Sequence, residues 1–323
     1  MLRRLASTQL SRALSTSSER VSVTRHSSGV VQVTLRRGSK LNALDIPMFR
    51  AIQATATNLI DDKSVRAVVL HGEGKAFCAG LDVRSVMHPL NAKSNIKTLL
   101  NRPDGAVSNL AQDVGYLWRR VPAPVIGALH GVCLGGGLQI ALGCDMRVAT
   151  AACKLSVMEA KWGLIPDMSA TVTLPELVPK DVAMELTMTG RVFDGQEALD
   201  MGLVTRLVED PLEEAMRLAN EISCRSPDAN AAAKRLWHAT YSEKMTEDRS
   251  LRIESDMQRQ LIGGWNQLAC AAKGLGVPAL LQPAFRERAA SWDAEADELA
   301  ESELLAMLDG PPEEGTESRE SSS

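Results

Sequence analysis

Apolar and polar residues alternate through VSVTRHSSGVVQVTLRR (21–37), broken at Ser27, Ser28 and Gly29, and such alternation around small turn residues predicts a hairpin. Helical apolar spacing follows over 46–60, and RAVVLHG (66–72) is a short continuous apolar run that reads as a strand. After a polar and apolar mixture at 86–106, read as a loop, the cycle repeats. A helix is predicted over 107–120, a strand over PVIGALHG (124–131), and then a Gly-rich turn. A third cycle has short strands at 147–150 and 154–157 and a helix over 169–177. Repeated strand, strand, helix order predicts α/β layers. From 181 onward the spacing is helical, with one late strand at 204–208 and helices over 212–224, 228–240 and 246–262.

The two ends differ from this body. The first 17 residues hold Arg3, Arg4 and Arg12, many Ser and Thr, and no acid, which is the composition of a mitochondrial transit peptide. A basic arm without a targeting role has the same composition. Residues 309–323 are polar, acidic and rich in Ser, Pro and Gly, and are expected to be disordered. The expected organisation is therefore a leader at 1–17, an α/β core at 18–205, a helical region at 206–308 and an acidic tail at 309–323.

Composition narrows the chemistry. Apolar residues make up 45% and charged residues 24% of the 323, ordinary for a globular enzyme. Charged or polar residues interrupt every apolar stretch before the ~20 residues a membrane span needs. The formal charge of −4, three units more negative without the leader, argues against nucleic acid as a partner. The six cysteines show no C-x-x-C spacing and the five histidines no helical pairing. Reduced thiols and a metal-free site are expected.

Three segments carry chemistry. In GKAFCAGLDV (74–83), small residues let a ligand approach the backbone, although a tight turn without a ligand fits equally well. In HGVCLGGGLQIALGCD (130–145), Gly135, Gly136 and Gly137 open an apolar helix whose unpaired N–H groups can stabilise developing negative charge. The spacing fits neither G-x-G-x-x-G nor a phosphate-binding loop. In KLSVMEAKWGLIPD (154–167), Glu159 stands among apolar residues and near Trp162, where desolvation would raise its pKa toward useful proton transfer. A surface Glu159 paired with Lys161 or Arg147 is the alternative.

Taken together, LNALD (41–45), KAFCAGLD (75–82), PVIGALHG (124–131), GGGLQIALGCD (135–145), the Glu159 segment and EALDMGLV (197–204) closely resemble the enoyl-CoA hydratase/isomerase (crotonase) superfamily. The resemblance runs from about residue 21 to about residue 262. It implies a spiral of ββα units with a helical C-terminal region that completes homotrimers, often paired as hexamers. It also implies an acyl-CoA substrate, no cofactor beyond the substrate's own coenzyme A, and a place in fatty-acid oxidation in the mitochondrial matrix. By position it assigns the oxyanion hole to the backbone N–H groups of Leu81 and Gly136, next to Gly135. It places the coenzyme A arm along Lys75, Ala76, Phe77, Cys78, Ala79 and Gly80, with Asn42 and Ala43 near the same strand.

The family's hydratases use two glutamates. Here the second is Glu159, but Gln139 stands at the first. An amide neither accepts nor delivers a proton near neutral pH, although it can orient water or substrate. The family's enoyl-CoA isomerases keep one glutamate at the place of Glu159, so Gln139 favours a 3-enoyl to 2-enoyl shift over hydration. Asp167 stands at a spacing the dienoyl-CoA isomerases share, yet those carry an Asp at the position of Gln139. A second proton carrier, a cap for the helix near Ser169 and a residue without a role are all open for it. A further possibility is a crotonase-fold subunit kept for assembly rather than catalysis.

Overall fold

The computed structural model describes residues 14–17, 19–242, 245–289 and 292. The expected acidic tail and most of the expected leader lie outside them. The described strands are β1 (Leu14–Ser17), β2 (Val21–Arg25), β3 (Val30–Leu35), β4 (Ala67–Gly72), β5 (Val125–Leu129), β6 (Val132–Leu134), β7 (Met146–Ala149), β8 (Lys154–Ser156) and β9 (Arg206–Leu207). The helices of the first half are α1 (Ile46–Asp61), α2 (Val83–Val86), α3 (Ala92–Leu100), α4 (Leu110–Arg120) and α5 (Gly136–Leu142). Those of the second are α6 (Ala170–Leu177), α7 (Lys180–Thr189), α8 (Gly195–Asp200), α9 (Pro211–Ser223), α10 (Pro227–Ser242), α11 (Glu247–Leu261) and α12 (Trp265–Gly274).

The main sheet runs β1-β2-β3-β4-β5-β7-β9, antiparallel through the first three strands and parallel from β3 onward. A small parallel pair, β6 and β8, lies apart from it. Side chains of β4 sort by the period of two: Val68 and Leu70 join the core with α1 and α4, while Ala67 and Val69 pack with Ala215 and Ala219 of α9. Burial on both faces accounts for the unbroken apolar run at 66–72.

Three boundaries differ from the sequence reading. The mixture at 86–106 is not all loop, because α3 lies within it, anchored by buried Leu99. The division at 205 cuts through the core, since β9 closes the sheet and α9 covers its far face. Finally, Leu14–Ser17, the end of the expected leader, pairs with β2 as an edge strand.

Helix ends follow local chemistry. Asp45 caps α1 by accepting from Met48 N, ahead of Pro47 in the first turn. Asn109 and Gln112 form a reciprocal capping box on α4. Four cysteines, Cys78, Cys133, Cys144 and Cys153, are buried and unbridged. Burial pushes the Cys78 and Cys144 thiols up to about 12, so they behave as small apolar groups.

The C-terminal helices are tied to the core by a buried ion cluster. Asp145 accepts from Val125 N at 2.7 Å, Lys234 of α10 lies 2.8 Å from its carboxylate, and His238 lies at 3.0 Å. Lys234 also donates to Trp118 O at 2.9 Å. Removing one partner of such a pair leaves the other charge buried. Lys234→Met is therefore expected to lower the unfolding free energy by about 3–5 kcal/mol, as measured by urea denaturation.

Candidate active site

Two backbone segments cross to build the site. Residues 77–81 run beside β6, with Phe77 N donating to His130 O, Cys78 N to Val132 O, and Leu134 N to Cys78 O. No side chain fits between them. A Cβ on Gly80 would lie 2.6 Å from Leu134 O, and one on Gly137 would lie 2.3 Å from Cys78 O. Gly80 also has φ +85°, a conformation that favours glycine.

This crossing sets two free amides side by side. Leu44 N donates to Gly80 O and Asp82 N to Leu44 O, so the N–H of Leu81 between them is directed away from Leu44. Gly136 is the first residue of α5, and its N–H precedes the helix's internal bonds. A Cβ on Gly80 would lie 3.4 Å from Gly136 N, which measures how closely the two segments approach. Among the described residues, no hydrogen bond uses the N–H of either Leu81 or Gly136. The expected oxyanion donors are thus adjacent and unspent. An ion cluster holds the Leu81 segment: Arg37 lies 2.8 Å from Asp82 and 3.4 Å from Asp45, which also pairs with Arg20 at 2.9 Å.

Glu159 opens a 3-10 turn (Glu159–Trp162) after β8 and faces the same point. A Cβ on Gly135 would lie 3.4 Å from its Oε1. That oxygen accepts from Gln139 Nε2 at 2.6 Å, while Oε2 is buried without a partner. Burial raises the pKa of Glu159 above the ordinary 4.5, and the charge of Asp167 adds to the rise. The surface pairing with Arg147 is not formed, because Arg147 is buried and donates to Leu203 O and Cys144 O. Lys161 is turned toward Gly190 instead.

Gln139 is 1% exposed. Its Oε1 accepts from Met168 N at 2.8 Å and Ala170 N at 3.3 Å. The amide is thereby fixed with its NH2 toward Glu159, a contact that the sequence reading, which had it orient water or substrate, did not foresee. Asp167 does not cap α6: the cap position is Ser169, and no side-chain cap bond is made there. Asp167 is exposed overall, its charge acts on Glu159, and desolvation of its own carboxyl raises its pKa.

The remaining expected residues flank or support the Leu81 segment. Asn42 is fully buried with φ +57°, donates to Glu73 O, Ala76 O and Phe77 O, and accepts from Arg37 N. Its side chain shapes the 73–77 turn. Ala76, Phe77 and Cys78 are buried, Ala43 and Ala79 are half-buried, and Lys75 is exposed. Sequence reading missed Met168, whose thioether lies where a Cβ on Gly136 would be, 2.7 Å away, so it lines the oxyanion donor. Periodicity offers no signal for a residue placed by an irregular loop. Among the described residues, no group of His, Cys, Asp or Glu is arranged to hold a metal ion, and no helix is long and apolar enough to cross a membrane.

Paired amides beside a desolvated glutamate, next to the small β6–β8 pair, make a site that can stabilise an oxyanion next to a proton-carrying group. The enoyl-CoA hydratase/isomerase family model matches residues 25–266, and the chain belongs to that family. Its members need no cofactor beyond the coenzyme A of the substrate. The chain is 32% identical over 246 residues to the mevalonyl-coenzyme A hydratase SIDH of Beauveria bassiana, covering 74% of this chain and 85% of that one. It is also 32% identical over 215 residues to the mitochondrial methylglutaconyl-CoA hydratase of Mus musculus, covering 64% of this chain and 65% of that one. A crystal structure of an enoyl-CoA hydratase from Bacillus anthracis matches with a TM-score of 0.70 and 26% identity, covering 82% of this chain and 98% of that one.

The geometry makes a pH prediction. A proton-abstracting Glu159 must be ionised, so activity falls as pH drops through its raised pKa, leaving an acid limb above 4.5. Asp167→Asn removes a like charge and is expected to move that limb of kcat/KM to lower pH, as read from a pH–rate profile. An unmoved limb would sever Asp167 from the site.

Proposed function

We propose that the protein is an acyl-CoA isomerase that shifts a 3-enoyl double bond to the 2-position through a thioester enolate. The observation that carries this reading is the fixed amide of Gln139, which holds a neutral group beside Glu159 where a second carboxylate would stand. Glu159 takes a proton from C2. The C–H electron pair becomes part of the enolate, whose charge gathers on the thioester oxygen between Leu81 N–H and Gly136 N–H. The same carboxyl then returns the proton to C4. A single preorganised amide donor is typically worth ~3 kcal/mol in such a step.

Hydration of a 2-enoyl-CoA is the second reading. The names of the relatives favour it, as does the influence of Asp167 on Glu159, which would supply a second carboxyl. Purified enzyme offered 3-enoyl-, 3,5-dienoyl- and 2-enoyl-CoA separates the readings. The expected result is turnover of the 3-enoyl substrate, reduced by about 10³-fold or more in Glu159→Gln. Hydration alone, abolished by the same substitution, would establish the second reading. Absence of acyl-CoA binding by calorimetry would leave a structural subunit.

The proposed setting is the mitochondrial matrix and the proposed assembly a homotrimer or hexamer. Arg3, Arg4 and Arg12 without a neighbouring acid support the first. Exposed Trp162, Leu164, Ile165 and Met188 near the site support the second. Fusion of residues 1–17 to a reporter is expected to direct it to mitochondria, and a reporter that stays in the cytosol would refute the targeting.

A further inference from the structure

The two oxygens of Glu159 are not equivalent, and the difference assigns the reacting atom. Gln139 Oε1 is occupied by two backbone donors, Met168 N and Ala170 N, from the loop that leads into α6. Rotating the amide by half a turn would set its NH2 against those N–H groups and its oxygen against the carboxylate. The orientation is therefore forced, and Nε2 donates to Glu159 Oε1 at 2.6 Å. Oε2 is buried with no partner among the described residues.

We propose that Gln139 is a positioning residue that commits Glu159 Oε1 to accepting a hydrogen bond, so that Oε2 alone takes the substrate proton and gives it back. The proposal rests on the isomerase reading, in which Glu159 takes a proton from C2 and returns it to C4. In the proton-taking step the C2–H bond breaks and the Oε2–H bond forms. The C–H electron pair passes into the enolate, and the carboxyl carries the proton on Oε2 until that bond breaks in the return step. A proton on Oε1 would face the NH2 of Gln139, donor against donor, so the single arrangement is kept through the cycle. The loop that carries Asp167 and Met168 thereby sets the aim of the base from behind.

Gln139 is the side chain that donates to this carboxylate, and the backbone N–H groups of Glu159 itself and of Met158 act on it as well. Asp167 is the charged neighbour that acts on the Glu159 carboxylate. Lys161, on the same turn, extends toward Gly190, and on α7 Glu185 pairs with Arg191 at 2.7 Å. Gly135 and Met158 present no charge.

Gln139→Glu tests the assignment, because a carboxylate there still accepts from Met168 N and Ala170 N and loses the donor toward Glu159. Two facing carboxylates then share a proton. For the 3-enoyl shift the expected outcome is a kcat lowered about 10- to 100-fold near neutral pH, KM unchanged, and the acid limb moved to higher pH, with hydration of 2-enoyl-CoA, the reaction of the family's two-glutamate members, assayed separately. Unchanged kcat and an unmoved limb in a folded Gln139→Glu protein would overturn the proposal. Difference infrared spectroscopy of the unsubstituted protein, with Glu159→Gln as the blank, gives a reading independent of turnover and of the stability of any residue-139 variant. Protonated Glu159 is expected to show the lowered carbonyl stretch of an oxygen that accepts a hydrogen bond. The high-frequency stretch of a free carbonyl would reject the role of Gln139. Should no acyl-CoA be turned over, the reaction reading fails on its own, while the infrared band still decides the Gln139 contact.

Discussion

Where residues 77–81 cross β6 and the start of α5, the two backbones meet with no space for a side chain at Gly80 or Gly137. The pairing of the two unspent amides depends on that approach. A peptide N–H is fixed by its backbone, so two of them converge on one point only if the chain segments carrying them are locked together. The lock is made by ordinary β-type hydrogen bonds on one side of each segment, which leaves the opposite N–H of Leu81 unspent. Gly136 contributes its amide for a different reason, as the first turn of a helix. Two unrelated sources of unpaired donors are thus brought together by one steric fit.

The glutamate is held from a different direction. Glu159 is a short step beyond β8, and β8 pairs with β6, so the carboxylate and the Gly136 amide share a platform outside the main sheet. Its second constraint is Gln139, one helical turn into α5, which ties Glu159 to the loop before α6. Desolvation and a hydrogen-bond donor act on the glutamate in opposite senses, the first raising its pKa and the second lowering it. Burial prevails. A base held above its ordinary pKa is a better proton acceptor once ionised.

How much of this was legible in the sequence follows from the range of each interaction. The hairpin at 21–37, α1 and β4 were readable because alternation and helical spacing are local signals, and the observed ends fall within a residue or two of the expected ones. The site positions came from motif resemblance rather than periodicity. The motif placed Leu81 and Gly136, but it could not show that Asn42 spends its amide on the turn beneath them. The contact between Gln139 and Glu159 spans 20 residues and depends on the loop before α6, which has no period to read. Helix α3 was hidden for another reason: Leu99 is its one buried residue, so its apolar stripe is too thin to register.

The loop before α6 shows what the arrangement costs. Ser169 has φ +80°, a left-handed conformation unusual for a residue with a side chain, and its buried Oγ has no partner among the described residues. Such a backbone state costs on the order of 1–3 kcal/mol and persists only where its surroundings over-determine it. Here those surroundings are identifiable. Gly115 on α4 has no room for a Cβ because Ser169 Oγ and Met168 O already occupy that space. The turn at Ser169 brings the N–H groups of Met168 and Ala170, on either side of it, onto a single acceptor, Gln139 Oε1. An extended residue at 169 would separate those two donors and release the amide. The strain at Ser169 and the aim of Glu159 are therefore one constraint, carried from α4 through the loop to the carboxylate.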